Sequence, residues 1–207
     1  MKSLLRILFP PRCLHCRQGH ERLGTPLCKT CVSLLEVREA ENLLVTFHSL
    51  SPVRSLITHL KRGGGSQIVK ILAAYMAAQY AQSTFPLPDL ITAVPTSRFR
   101  KWQMQQAPAE ILADELGKIL ARPFSLLLKR KRQLLRQDLL DRKQRLALSS
   151  NDFAWKNKIP IKGKTVLIID DTITTGTTLE CCTEHLWQAS PKKVIKMVCL
   201  DQGYLRE

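Results

Sequence analysis

The sequence predicts an α/β protein in which helices flank a doubly wound, mainly parallel sheet, with a small cysteine module ahead of it. From Val45 onward, apolar runs of strand length alternate with helix-length segments. The apolar run 166–169 ends in two acidic residues and a Thr/Gly loop, and a further helical segment follows. Two C-x2-C pairs lie before residue 32, where periodic hydrophobicity is weak.

The N-terminal cysteines predict a zinc-binding module over residues 1–40, followed by the main domain over residues 41–207. The pattern C-x2-C, eleven residues and C-x2-C is formed by Cys13, Cys16, Cys28 and Cys31. Four thiolates complete a tetrahedral zinc site of the zinc-ribbon kind, and closed sites of this kind are structural. His15 and His20 are therefore interpreted as surface residues, because no ligand position is left for them.

The main domain is expected to alternate helices and strands along the chain. Ser66 can cap a helix that runs to about Ala81, and Gly63 to Gly65 form the loop before it. The other predicted elements are a strand over 89–95, a helix over 108–121, a short strand over 124–128, a strand over 166–169, a helix over 177–189 and a strand over 194–200. Three further cysteines fall on the last helix and strand and are expected to be buried, namely Cys181, Cys182 and Cys199.

Charge is the most unusual bulk property, with 32 Lys and Arg against 17 Asp and Glu and a formal net charge of +15. This balance favours a polyanionic partner, such as a nucleic acid, an anionic membrane surface or a phosphorylated substrate. No apolar run approaches the roughly 20 residues of a membrane-spanning helix. No small-residue cleavage site follows the apolar N-terminal run. We therefore expect a cytoplasmic protein without a membrane span.

The segment VLIIDDTITTGTTL, residues 166–179, has the composition of a sugar-phosphate site. Ligands of open α/β sheets bind beyond the carboxyl ends of strands, where Asp170 and Asp171 can accept hydrogen bonds from sugar hydroxyls. The loop offers hydroxyl donors and close backbone approach through Thr174, Thr175, Gly176, Thr177 and Thr178. The following helix points its free N–H groups at a bound anion. The simpler alternative is an ordinary strand, turn and helix cap.

This segment resembles the fingerprint with which type I phosphoribosyltransferases bind ribose 5-phosphate diphosphate (PRPP). Together with LKRGGG at 60–65 and AVPTSR at 93–98, it resembles the ComF family, also called GntX-like or competence protein F, over nearly the whole chain. The resemblance implies a type I phosphoribosyltransferase fold with a Rossmann-like sheet, and Asp170 and Asp171 as the catalytic residues. It also implies a role in DNA uptake during natural transformation, alongside other DNA-uptake proteins.

The same resemblance assigns further ligand positions. Lys61 corresponds to the lysine of the family's L-K-Y-x-G segment, and the loop that approaches the diphosphate corresponds to Pro95, Thr96, Ser97 and Arg98. Mg2+ is implied together with PRPP, for transfer of the ribosyl group to a nitrogenous acceptor. Where the family usually carries R-G-F-N-Q, this chain has WQMQQ at 102–106. A hood segment near residues 45–60 is expected to select the acceptor.

Two basic segments predict binding to a nucleic acid. The denser one, at 129–145, contributes Lys129, Arg130, Lys131, Arg132 and Arg136. The other contributes two cations and an aromatic ring that can stack on a base, Arg100, Lys101 and Trp102. A mobile lid over the diphosphate or a solvated helix face also fits this density. Two hypotheses follow: a phosphoribosyltransferase, or a non-catalytic factor for single-stranded DNA whose nucleotide pocket is a relic or a sensor.

Overall fold

The computed structural model describes residues 12–19, 26–34, 43–47, 52–96, 106–131, 149–157 and 159–204. In chain order, the helices within these ranges are α1 (Lys29–Val32), α2 (Val53–Lys61), α3 (Ser66–Gln82), α4 (Pro108–Ile119) and α5 (Thr177–Trp187). The strands are β1 (Leu44–Phe47), β2 (Leu90–Ala93), β3 (Leu128–Arg130), β4 (Phe153–Trp155), β5 (Thr165–Ile173) and β6 (Lys193–Asp201). None of the helices in these ranges has the length and hydropathy of a membrane span.

Four strands form a parallel sheet in the order β1-β6-β5-β2, which confirms the predicted fold class. β5 and β6 are paired from Thr165 opposite Lys193 to Ile173 opposite Asp201. β2 is shorter and ends where Ala93 pairs with Ile169. The last part of β5 therefore projects beyond its neighbour on one side.

Both faces of the central strand β5 are covered. Leu167 and Ile169 belong to the hydrophobic cluster that contains the buried faces of α3 and α4. Val166 and Ile168 belong to the cluster that contains the buried face of α5. A strand buried on both faces needs apolar side chains at successive positions, which explains the unbroken aliphatic run.

The connections that leave β2 and β5 run in opposite directions. β2 leads through α4 to Phe124, which forms a parallel bridge with Ile91 on the edge of β2 away from β5. β5 leads through α5 to β6, on its other side. The carboxyl ends of β2 and β5 therefore flank a crevice of the kind in which doubly wound sheets bind their ligands.

Two segments differ from the sequence prediction. The predicted strand 124–128 is reduced to the Phe124 bridge, and the chain then turns into β3, which pairs antiparallel with β4. The predicted hood near 45–60 contains β1, whose four residues are all buried, and α2. β1 extends the main sheet, so residues 45–47 of the predicted segment serve the core.

A buried glutamine ties β1 to the helical layer. Gln79 of α3 donates to the Val45 carbonyl at 2.5 Å and accepts from the Thr46 hydroxyl at 2.9 Å. Only 6% of Gln79 is exposed. Because β1 is the last strand on its side of the sheet within the described residues, these bonds secure the edge of the sheet to α3.

Replacing Gln79 should therefore destabilise the fold. Gln79→Leu keeps the volume but leaves the Val45 carbonyl and the Thr46 hydroxyl without this partner, at a cost of about 2 to 4 kcal/mol in the free energy of unfolding. Gln82→Leu is the matched control, because Gln82 lies exposed on the same helix and such changes stay within about 0.5 kcal/mol. Urea denaturation measures both, and equal effects would contradict this role of Gln79.

Candidate functional site

The acid pair lies on β5, at the mouth of the crevice. Asp170 and Asp171 follow Ile169, the last residue of β5 that pairs with β2. Both acids are half-buried, so neither is sealed inside the core. Asp170 Oδ1 accepts a hydrogen bond from the Asp171 N–H at 2.8 Å, and Asp171 Oδ2 accepts one from the Thr172 hydroxyl at 3.0 Å. These local bonds fix the orientation of each carboxylate.

A lysine from a distant part of the chain neutralises one of the two acids. Lys61, the last residue of α2, places its Nζ 2.9 Å from Asp171 Oδ2. The lysine side chain is 33% exposed and the aspartate side chain 16% exposed, so water screens this ion pair only partly. No periodicity or spacing links residues 61 and 171, and only the family resemblance singled Lys61 out.

The two carboxyl groups are electrostatically unequal. Burial raises the pKa of Asp170 well above its usual range, and the negative charge of Asp171 raises it further. The Asp171 N–H and the charge of Lys61 act in the opposite direction without offsetting burial. A cation or a set of hydroxyl donors beside both acids would relieve this repulsion, so the pair is suited to such a ligand.

The loop after β5 offers backbone donors to an anion. Gly176 has a φ of 74°, in the left-handed region, and forms the N-cap of α5. No side chain of the described residues caps this helix, so its first N–H groups are left for a ligand. The hydroxyl oxygens of Thr175 and Thr177 lie 3.1 Å apart at the same place. The arrangement can bind a phosphate at the positive end of the helix dipole.

An acidic residue in the first turn of α5 is neutralised from the sheet. Glu180 would repel an anion at the loop, but Lys196 Nζ from β6 lies 2.7 Å from its Oε1. No local pattern in the sequence predicts this pair, because the two residues are 16 positions apart on different elements. The ion pair keeps the start of α5 favourable for a negatively charged ligand.

An aromatic ring supports the loop from the end of β6. The ring of Tyr204 packs against Gly176 so closely that any side chain at position 176 would overlap it. The turn is held by Asp201, which is buried and accepts from the N–H groups of Gly203 and Tyr204 at 2.9 and 2.7 Å. This support was not predicted, although an aromatic residue directly after an Asp-x-Gly turn is a signal in the sequence.

The chain leaves β2 directly into the crevice. The Val94 N–H donates to the Ile169 carbonyl at 2.9 Å, which keeps this segment beside the acid pair. The Pro95 carbonyl accepts from Arg130 Nε at 3.3 Å, and Thr96 is half-buried. The other two predicted residues of this loop, Ser97 and Arg98, lie outside the described residues.

The predicted nucleic-acid contacts are only partly described. Arg130 lies over the ring of Phe153, 5.5 Å from its centroid, and also reaches Pro95, so its charge is directed into the protein. Lys129 and Lys131 on either side of it are exposed. The remaining predicted residues lie outside the described ranges, namely Arg100, Lys101, Trp102, Arg132 and Arg136.

The four N-terminal cysteines converge. Their sulfur atoms all lie within 4.8 Å of one another, in Cys13, Cys16, Cys28 and Cys31. A tetrahedron with Zn–S bonds of 2.3 Å has edges of about 3.8 Å. The Cys16 and Cys28 sulfur atoms are 3.8 Å apart, so the arrangement fits a zinc site. His15 is exposed and contacts the Ser55 hydroxyl of α2 at 3.2 Å, while His20 lies outside the described residues.

The thiols of this cluster differ in acidity. Burial opposes ionisation of Cys13, but backbone N–H groups, that of Cys28 first, lower the pKa of its thiol to about 6. Burial and then the neighbouring Cys28 side chain raise the pKa of Cys31. The Cys13 thiolate therefore forms readily, whereas the Cys31 thiolate needs a compensating cation, which a bound metal would supply. The remaining cysteines, Cys181, Cys182 and Cys199, are buried as predicted.

Known proteins share this organisation. Residues 62–206 match the profile of the phosphoribosyl transferase domain family. Competence protein F of Haemophilus influenzae is 30% identical over 178 residues, which cover 82% of this chain and 75% of that protein. DNA utilization protein YhgH of Escherichia coli O157:H7 is 30% identical over 142 residues, which cover 66% of this chain and 62% of that protein.

Solved structures are more distant. Glutamine PRPP amidotransferase from B. subtilis is 22% identical with a TM-score of 0.44, covering 63% of this chain and 26% of that one. A hypoxanthine-guanine phosphoribosyltransferase from Bacillus anthracis is 16% identical with a TM-score of 0.42, covering 64% and 68%. The assignment therefore rests on the family profile and the sequence relatives: the chain belongs to the phosphoribosyltransferase domain family and, within it, to the ComF family of competence protein F.

Proposed function

We propose that the crevice between β2 and β5 binds PRPP together with Mg2+. The observation that carries the proposal is the meeting of three parts at one end of the sheet: the acid pair, the uncapped start of α5 and the chain segment that leaves β2. Each part suits a different portion of one ligand. A ribose with a phosphate at one end and a diphosphate at the other has the matching sequence of hydroxyls and anions.

Each residue has a chemical task in this proposal. Asp170 and Asp171 accept hydrogen bonds from the ribose hydroxyls, and their negative charge stabilises positive charge that develops on the sugar ring. The 5-phosphate is held by the backbone and hydroxyls of Thr174, Thr175, Gly176, Thr177 and Thr178. The diphosphate contacts Pro95, Thr96, Ser97 and Arg98. Lys61 lies close enough to leave Asp171 and pair with a phosphate oxygen.

Magnesium fits the donor set of this crevice. Carboxylate oxygens are the protein ligands that Mg2+ prefers, and it commonly keeps waters and substrate phosphate oxygens as further ligands. Asp170 and Asp171 offer such oxygens, and a divalent cation would offset the burial and the repulsion by Asp171 that together raise the pKa of Asp170. When bound by these residues, the ion would supply positive charge that stabilises the diphosphate as leaving group.

For the role in the cell, we propose support of DNA uptake or utilisation, and the names of the relatives, competence protein F and DNA utilization protein, support this proposal. As a phosphoribosyltransferase, the protein would displace diphosphate from C1 with a nitrogenous acceptor. The second candidate is a single-stranded-DNA-binding factor that uses the pocket only as a sensor. The net charge of +15 and the exposed Lys129 and Lys131 motivate this second candidate.

We further infer that the cysteine cluster holds one structural Zn2+. The four sulfur atoms fill the coordination sphere, so no position is left for a substrate or an activated water. Cys13, Leu27, Cys28 and Cys31 also belong to the same hydrophobic cluster as the buried face of α2. The metal therefore stabilises a module that packs on the main domain.

Asp171→Asn tests the ligand site. The change removes one negative charge while keeping the size of the side chain, so Mg2+-dependent affinity for PRPP in calorimetry should fall at least about ten-fold. Asp114→Asn, an exposed carboxylate on α4, is the control and should change nothing. Unchanged binding by Asp171→Asn would rule the acid pair out. A catalytic role also predicts that this variant loses support of transformation, whereas a pure DNA binder keeps it.

Asp170→Asn should stabilise the ligand-free fold at neutral and alkaline pH. The folded protein raises the pKa of Asp170, so ionisation of Asp170 costs stability as the pH rises through that pKa. The advantage of the asparagine should therefore shrink as the pH falls toward about 4, where the unfolded carboxyl is also protonated. Thermal denaturation across pH measures the difference. A variant less stable than the parent at pH 8 would contradict the raised pKa.

The zinc assignment predicts about one Zn2+ per chain by elemental analysis, lost in Cys28→Ser because a four-thiolate site does not tolerate a missing ligand. The same variant should unfold at lower temperature, and a strong chelator should reproduce this in the parent. Cys181→Ser is the control: it changes a buried cysteine of α5 and should leave the zinc content unaltered. Full zinc retention in Cys28→Ser would refute the four-thiolate site.

A further inference from the structure

A second cationic region lies at the end of the sheet opposite the acid pair. β5 begins at Thr165 and β6 at Lys193, and these two residues are paired, so the turns before both strands lie side by side. These turns and the end of α5 carry four lysines and an exposed aromatic ring. We call the part on the α5 side of the sheet the lysine–tryptophan surface, which consists of Lys162, Lys164, Lys192 and Trp187. Lys193 is not part of it, because its Nζ lies 4.6 Å from the centroid of the Phe85 ring on the α3 side of the sheet.

Backbone hydrogen bonds fix the parts of this surface relative to one another. The Lys192 N–H donates to the Lys164 carbonyl at 2.8 Å, and the Gly163 N–H donates to the Ser190 carbonyl at 3.0 Å. The Ser190 N–H in turn donates to the Trp187 carbonyl at 3.0 Å. Ser190 has a φ of 53°, an unfavourable conformation for a residue with a side chain, which these bonds maintain. The backbone positions of the cations and the ring are therefore preset.

The charges of this surface are not compensated by nearby carboxylates. Among the described residues, no acid lies within ion-pair distance of the three ammonium groups of this surface, whereas Lys61, Lys118 and Lys196 all have acidic partners. The neighbouring Asp89 uses its carboxylate to accept the Thr165 N–H at 2.8 Å. Clustered like charges repel, and a polyanion relieves this repulsion while it releases counterions.

The aromatic ring distinguishes a nucleic acid from other anions. Trp187 is 47% exposed, although Leu186 beside it is fully buried. An exposed aromatic among cations is the arrangement that binds single strands, because a base stacks on the ring while the cations contact phosphates. A membrane would need a broad apolar face, but the apolar face of α5 is buried against the sheet. A nucleic acid therefore fits this surface better than a membrane.

We propose that the lysine–tryptophan surface binds single-stranded nucleic acid, with the lysines on the phosphates and one base stacked on Trp187. The surface lies at the amino ends of the strands, and the acid pair lies toward their carboxyl ends. The two ligands can therefore be bound at the same time. The proposal uses none of the residues assigned to PRPP and does not depend on that assignment.

The test is the salt dependence of oligothymidylate binding, followed by fluorescence anisotropy. Lys162→Gln/Lys192→Gln should weaken binding and reduce the slope of log K against log salt by about 1.4, since each phosphate contact on a single strand contributes about 0.7. Trp187→Ala should weaken binding roughly ten-fold at every salt concentration with the slope unchanged. Trp187→Phe should recover part of this loss, because it restores a ring.

Lys29→Gln/Lys70→Gln is the matched control, since it removes the same charge from exposed positions on α1 and α3. It should leave the slope unchanged, and an equal reduction would show that only net charge matters and would overturn the proposal. Absence of oligonucleotide binding by the parent protein would overturn it too, as would binding only to vesicles with phosphatidylserine. Calorimetry with PRPP on the Lys162→Gln/Lys192→Gln variant distinguishes a failure of this proposal from a failure of the PRPP proposal. The affinity of the crevice for PRPP should be unchanged in this variant.

Discussion

The burial of β5 between two helical layers is the constraint on which the rest of the structure depends. Four consecutive aliphatic side chains, at 166–169, are buried on both faces of the strand. The strand then continues to Ile173, beyond the end of β2. Polar side chains on β5 reach the crevice at the positions where β2 no longer pairs with it. The acids are therefore placed at the crevice by the same pattern that forms the core, and no separate device is needed to expose them.

The sequence was sufficient for whatever depends on local pattern. Strand burial, the helix after the Thr/Gly loop and the cysteine knuckles each follow from neighbours in the chain, and α3 differs from its predicted end by one residue. Contacts between segments that are distant in the chain could not be predicted from such local patterns. The pairing of Glu180 with Lys196 and the packing of Tyr204 on Gly176 depend on which elements the fold makes adjacent. β1 was mistaken for part of a hood, because a four-residue strand carries too little periodicity to be assigned.

The charge of the molecule is organised unevenly. Near the crevice, lysines are matched with acids: Lys61 with Asp171, and Lys196 with Glu180. At the opposite end of the sheet, the described lysines have no such partners. Matched charges keep the crevice from attracting anions indiscriminately, so recognition there depends on geometry. Unmatched charges act over longer distances and favour partners with many phosphates.

Helix α2 has one end in each of two sites. Ser55 near its start contacts His15 of the cysteine module, and its last residue, Lys61, pairs with Asp171. A tilt of α2 therefore displaces Lys61. If metal binding to the module shifts α2, it also shifts the lysine that a sugar phosphate would contact in the crevice. Thermodynamic reciprocity would then give the sugar phosphate an equal effect on the affinity for the metal.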